Sequence, residues 1–299
     1  MTSAGAKVGP DALTGVMRRR RIPIAYWLLL PGMVWLLLFF AIPFYSLIAT
    51  SLYNPQGGVD SGYEMTWHAA NYAHAIRDYA GPFARSLLYG GVATVLCLLL
   101  GYPLAYAIAF KAGRWRNLML VMVIAPFFTS FLIRTLAWQL ILADQGAVVG
   151  LLKWLHILSA DGRLLATPVA VVAGLTYNFL PFMVLPLYAA LEKINPSLIE
   201  AAGDLYASPV RGFLKVTLPL SKAGVVAGTL LTFIPAAGDY INAQLLGNTQ
   251  TRMLGNVIQD LFANVGDYPA AGALSMSLMF LIVGMVMYYI QKVSTDELI

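Results

Sequence analysis

The sequence predicts an all-α integral membrane protein with six transmembrane helices and both termini on the cytoplasmic side. Composition is the first ground: of 299 residues, 59% are hydrophobic and 11% charged, with a mean hydropathy of +0.72. Soluble domains sit nearer half apolar and a quarter charged. The second is length. Apolar stretches at about 24–50, 86–110, 118–142, 166–190, 223–246 and 270–290 each supply the roughly 20 residues needed to cross a ~30 Å hydrocarbon core. The third is charge sidedness. With the termini inside, thirteen Lys/Arg residues fall on the cytoplasmic side and six elsewhere, as the positive-inside rule requires.

Residues 1–22 read as a cytoplasmic tail and 23–299 as the transmembrane domain. Arg18 to Arg21 followed by an apolar run imitate a secretory signal, but the run from Ile24 to about Thr50 is too long for a cleaved one. It reads as the first span, anchored by the arginines, and residues 1 to about 17 are expected to be disordered. The loop from Ser51 to Arg85 contains Trp67 to Tyr79, patterned as a short surface helix suited to the headgroup level; receiving an external partner is the alternative. Pro235, Gly238 and Asp239 are expected to interrupt the fifth span. A single cysteine, Cys97, excludes an internal disulfide, and His68, His74 and His156 show no metal-ligand spacing. The net charge of +5 gathers beside the ends of apolar segments, which argues for membrane lipid and against nucleic acid. No Walker A pattern occurs, so the chain is not expected to hydrolyse ATP or to be an enzyme.

Between the fourth and fifth spans lies a polar segment, 192–219, placed in the cytoplasm by the charge bias. Asn195-Pro196 reads as an N-cap followed by proline at the first helical position. Leu198, Ala201, Ala202 and Leu205 then share one face, while Glu200 and Asp204 are i, i+4 neighbours on another. Ser208-Pro209 repeats the start signal, so two short helices should form a compact knob. Glu200, Ala201, Ala202, Val216, Leu218 and Pro219 fall at the spacings of the signature loop of bacterial ABC importer permease subunits. The chain resembles that family, with Val216 replacing an isoleucine and Tyr206 standing where the family has glycine. The resemblance implies a type I ABC importer transmembrane domain whose loop docks on a cytoplasmic ATPase. Glu200, Ala201, Ala202, Asp204, Leu205 and Tyr206 would form the coupling surface, with Glu200 foremost. If the family glycine makes a left-handed turn, Tyr206 there costs ~1–2 kcal/mol. Either the turn stays right-handed or the break moves, for instance to Ser208-Pro209.

Arg134 and Asp239 are ionisable residues inside spans, and such residues are functional candidates. Both fall ~26 Å above their cytoplasmic anchors Arg116 and Lys222 at 1.5 Å per residue. They read equally as groups lining a substrate path or as a structural pair. Trp138 lies on the Arg134 stripe, Asn242 shares a face with Asp239 beside Tyr240, and Tyr177 and Asn178 add polar groups to the fourth span.

Ser130-Phe-Leu-Ile-Arg-Thr-Leu-Ala-Trp138, Ile141-Leu-Ala-Asp-Gln-Gly146, Phe233-Ile-Pro-Ala-Ala-Gly-Asp-Tyr240 and Leu245-Leu-Gly247 resemble the first permease subunit of spermidine/putrescine importers. The resemblance implies polyamine import by alternating access, with thiamine, ferric iron, phosphonates or other organic cations as alternative substrates. Its implied partners are a second, distinct permease subunit, two ATPase subunits that hold ATP and Mg, and an extracytoplasmic binding protein. No cofactor is expected on this chain. An ion-coupled secondary transporter is the competing class: the broken fifth span suits it, but no internal repeat is visible.

Overall fold

The computed structural model describes residues 22–58 and 61–295. Residues 1–21, which include the arginine anchor and the expected disordered tail, lie outside the described residues. The described part is helical, and among these residues the extended pairing is limited to isolated bridges at Tyr53–Met65 and Gly58–Gly62. Among the described residues five helices are long and apolar enough to cross a membrane: Trp27–Ser51, Ala80–Lys111, Phe131–Trp154, Pro168–Leu191 and Tyr268–Lys292. A sixth arises if Pro209–Leu220 and Lys222–Ala237, bent by 67°, count as one span.

The chain divides into two compact units, 1–49 and 50–299. The first contains α1 (Ile22–Leu36), a π turn (Leu37–Ala41) and most of α2 (Ile42–Ser51), which run as one apolar helix. Its Trp35–Phe39 and Phe40–Phe44 rings pair at 4.2 and 5.9 Å. The second unit is built on three packed helices: α4 (Ala80–Tyr106), α8 (Pro168–Leu191) and α12 (Lys222–Ala237). Without a hydrophobic force between helices in lipid, close backbone approach supplies the packing. A Cβ added to Gly224 would stand 2.8 Å from the Pro186 carbonyl, and one on Gly228 would stand 2.7 Å from the Met183 sulfur. Around this contact Tyr89, Ala93 and Cys97 of α4 meet Leu175, Phe179 and Met183 of α8 in one buried cluster.

A second cluster joins α14 (Leu254–Asp260) to α15 (Tyr268–Thr295) and takes in Ala75 of α3 (Ala70–Asp78). The segment 67–79 therefore carries the expected helix, and His74 lies on it. The helix is seated on protein, because Asn71 is buried and donates to the Ser51 and Tyr53 carbonyls. Trp67, at a positive φ of 54°, remains exposed beside it.

The third span differs from the sequence expectation, and the fifth is interrupted as expected. The third was expected at 118–142 as one helix, but α5 (Arg116–Ile124) passes through a 3-10 turn, Ala125–Phe128, and ends at Thr129 in extended conformation. Pro126 lacks the N–H that would continue the ladder, so a fresh helix, α6 (Phe131–Leu142), starts after Ser130 and is followed by α7 (Ala147–Trp154). The fifth span stops at Ala237 and resumes as α13 (Ile241–Leu246). Pro235 lies inside α12, and the break itself falls at Gly238 to Tyr240.

Candidate functional site: the 192–219 loop and the broken spans

Local sequence sets the loop's shape. Asn195 Oδ1 accepts from Ser197 N at 3.1 Å and opens α9 (Pro196–Asp204). Ser208 Oγ accepts from Arg211 N and opens α10 (Pro209–Gly212), which continues into a π turn, Phe213–Thr217, and α11 (Leu218–Leu220). Between the two starts, α9 ends in a Schellman motif. Ala207 N donates to Ala202 O at 3.0 Å and Tyr206 N to Gly203 O at 2.9 Å. The residue in the left-handed position is Tyr206, with φ 58°. The turn is therefore left-handed at Tyr206 itself, and the second helix starts at Ser208-Pro209 as expected.

The knob has a fixed root and a bare tip. Ile199 and Phe213 pack against the main core; Phe213 meets the Tyr102 ring edge-on at 5.3 Å, and Tyr102 shares a 2.6 Å hydrogen bond with Ser221. At the loop's entry Arg116 donates to the Tyr188 hydroxyl and pairs with Glu192, its guanidinium 5.0 Å from the Tyr188 ring centroid. The Tyr188 hydroxyl and then Arg116 hold the Glu192 carboxyl below the usual range. At the tip, Leu205 is 82% and Tyr206 95% exposed, with Val210 beside them. Glu200, Ala201 and Asp204 are exposed as well, and Ala202 is half-buried facing Gly212. An apolar tip flanked by two carboxylates suits a cleft with a cationic rim.

In the interior, Trp138 and Tyr177 rings lie 5.4 Å apart, joining α6 to α8. Next to them is a buried polar cluster: Asn178 Nδ2 donates to Thr135 Oγ1 at 3.2 Å and to Asn242 Oδ1 at 3.1 Å. It ties α6, α8 and α13 together. A Cβ on Gly174 would come within 2.7 Å of Asn242 Oδ1 and 2.4 Å of Leu246, so α13 sits directly on the α8 backbone. Arg134 and Asp239, each 8% exposed, form no ion pair with each other among the described residues. Arg134 stacks over Phe131 and Phe127, at 5.6 and 5.8 Å, with Nε and Nη1 lacking a hydrogen-bond partner. Asp239 Oδ1 accepts from Asn242 N at 2.8 Å and so closes the first turn after the break. The neighbouring Tyr240 carbonyl accepts from Asn256 Nδ2 at 2.7 Å.

Over this break lies a polar cavity of about 280 Å³, lined by Gln244, Asn248, Arg252, Asn256, Gln259 and Asp260 among others. Asn264 and then Arg252 hold the Asp260 carboxyl below its ordinary range. Thr135, Gly174, Tyr188 and Glu192 were not singled out in the sequence, and Arg116 was read only as a cytoplasmic anchor. Only Thr135 carried a signal, as a hydroxyl beside an intramembrane arginine.

Together, the apolar helices, the broken spans and the protruding knob define a multi-pass membrane permease, a transport component rather than an enzyme. Residues 97–296 match the family of binding-protein-dependent transport system inner membrane components. The chain belongs to this family, the membrane permeases of ABC importers, and is a multi-pass inner-membrane protein. It is 37% identical over 256 residues to the spermidine/putrescine transport system permease protein PotB of Salmonella typhimurium (85% of this chain, 88% of that one). The PotB of Haemophilus influenzae is 38% identical, covering 85% of this chain and 89% of its own. The inner membrane ABC transporter permease protein YdcU of Escherichia coli is 32% identical, with 66% of this chain and 67% of that one covered. In fold it matches a chain of a bacterial ABC transporter that imports alginate, at a TM-score of 0.66 and 20% identity (91% of this chain, 95% of that one). A second match at the same TM-score and identity is to that alginate transporter in complex with an alginate pentasaccharide-bound periplasmic protein (89% of this chain, 92% of that one).

Proposed function

We propose that this chain is the subunit through which a polyamine crosses the membrane in an ATP-driven importer. The observation that carries the reading is the 192–219 knob, whose root is fastened to the core while Leu205 and Tyr206 stand bare at the tip. A surface of that kind inside a family of binding-protein-dependent permeases suits docking on a cytoplasmic ATPase, with both termini on the same side. Glu200, Ala201, Ala202, Asp204, Leu205 and Tyr206 make the contact, and two ATPase subunits supply ATP and Mg. A distinct second permease completes the path, and a binding protein delivers substrate to the outer face, where the polar cavity over the fifth-span break lies.

The PotB relatives support spermidine and putrescine as substrates. The ring faces of Trp138 and Tyr177 and the carboxylate of Asp239 suit ammonium groups through cation–π attraction and charge. Arg134 acts in this reading by packing on Phe127 and Phe131.

The test is uptake by the full complex in proteoliposomes. Spermidine accumulation is expected to need ATP, to be blocked by vanadate and to survive collapse of ion gradients. Glu200→Ala is expected to cut uptake at least tenfold, about 1.4 kcal/mol of coupling, while the membrane subunits still assemble. Uptake that follows a sodium or proton gradient without ATP refutes the reading.

A further inference from the structure

We propose that Arg116, Tyr188 and Glu192 form a positioning link that passes displacement of the 192–219 knob to α5, the first half of the third span. The inference rests on the knob being the ATPase contact. Glu192 caps α8 three residues before the Asn195 cap that starts the knob, and Arg116 is the first residue of α5. Between them the Tyr188 hydroxyl takes the guanidinium, which also lies over the Tyr188 ring.

Three features make this a link rather than an incidental surface pair. First, α5 contains no buried residue; only Met119, Leu120 and Val123 are partly packed on the core. Its hold on α8 at the knob end is therefore concentrated in Arg116. Second, each charge sits at the helix end its macrodipole disfavours. Arg116 is at an N-terminus and Glu192 at a C-terminus. Paired, each offsets the other's local cost, so the arrangement is favourable only while the two ends stay together. Third, the side chains are 33% and 46% exposed, and ion pairs that open to solvent add little to global stability. Their removal should spare folding and alter what moves with what. Beyond α5 the same span continues past Thr129 into α6, where Trp138 meets Tyr177. Without the link, the knob pulls α8 and the α6 that Thr135, Asn178 and Asn242 pin to it, and α5 is left behind. With it, α8 and the third span move as one body.

The experiment is the ratio of ATP hydrolysed to spermidine imported by the assembled importer in proteoliposomes, with the binding protein present. Arg116→Gln and Glu192→Gln are expected to raise that ratio at least about fivefold, a typical size for coupling between sites, while hydrolysis continues. Tyr188→Phe, which removes only the hydroxyl, should give a smaller rise. The double exchange Arg116→Glu/Glu192→Arg puts each charge at the helix end its dipole favours and is expected to restore the wild-type ratio. An unchanged ratio in the single variants overturns the proposal, as does a double exchange no better than either single. Loss of assembled complex in the single variants also overturns it, since the residues would then be structural. If the wild-type complex itself imports nothing with ATP, the polyamine importer reading fails instead, and the two failures are distinct.

Discussion

Tyr206 offers a test in which stability and function should move in opposite directions. Its φ of 58° places a bulky L-residue in the left-handed region, at a cost of about 1–2 kcal/mol. Glycine at the same place escapes that cost but loses roughly 0.5–1 kcal/mol through the greater freedom of the unfolded chain. The tyrosine side chain is 95% exposed, so its removal forfeits little packing within the chain. Tyr206→Gly should therefore stabilise the permease by roughly 0.5–1 kcal/mol, or about 1–3 °C in Tm for a chain of this size. The same change deletes an aromatic ring at the knob's tip. A tyrosine acting as an interface hot spot contributes about 2 kcal/mol or more, so affinity for the ATPase subunit should fall about 30-fold. Thermal unfolding in detergent and ATPase binding to the immobilised permease read the two effects separately. Tyr206→Ala discriminates further: it keeps the left-handed strain and loses the ring, so it should weaken docking without raising Tm. If Tyr206→Gly lowers Tm, or leaves docking unchanged while Glu200→Ala weakens it, the strain-for-contact argument is wrong.

Asp239→Asn should preserve the cap on Asn242 N, because asparagine caps as well as aspartate. Normal expression with a roughly tenfold poorer half-saturation for spermidine, about 1.4 kcal/mol, is therefore expected, and unaltered uptake kinetics would remove Asp239 from the path. Gly174→Ala should destabilise by about 1–3 kcal/mol through overpacking against Asn242 and Leu246. Gly284→Ala, which meets nothing within 4 Å in α15, should gain ~0.5–1 kcal/mol from helix propensity; equal melting shifts for the two would refute the packing account. For Glu192, whose carboxyl is held below its usual range by Tyr188 and Arg116, the linkage sign is fixed. Its contribution is fully present above the unfolded pKa of about 4.3 and is lost as pH falls through the lower folded value. The Tm difference between wild type and Glu192→Gln should stay flat from pH 5 to 8 and shrink only in stronger acid.

What the sequence revealed divides by the range of the interactions concerned. The apolar spans were legible because lipid imposes length and hydropathy locally. The two helix starts in the knob were legible because Asn195-Pro196 and Ser208-Pro209 carry their own caps. Arg134 and Asp239 could be counted from their anchors in the sequence, but rise along an axis says nothing about which way a side chain faces. The guanidinium turned to Phe127 and Phe131 and the carboxylate to the Asn242 amide. Arg116 and Glu192 belong to different spans, and no periodicity joins them. The break in the third span was missed because Pro126 and Ser130 sit in an otherwise unbroken apolar run.

Both breaks lead into helices that rest on α8. Irregular backbone at membrane depth persists only where protein or water satisfies it, and here the Tyr240 carbonyl and the Asn242 amide take Asn256 and Asp239 as partners. The helices that restart after the breaks, α6 and α13, are then pinned to α8 by one buried cluster, Thr135, Asn178 and Asn242. A hydrogen-bonded cluster shared by three elements resists movement of any one alone. The half-helices α6, which bears Trp138, and α13 therefore follow α8, and α8 is capped by Glu192, where the knob begins. Movement at the two breaks is confined in this way to their junctions, while α6 and α13 keep the register of α8, the helix that leads into the 192–219 loop.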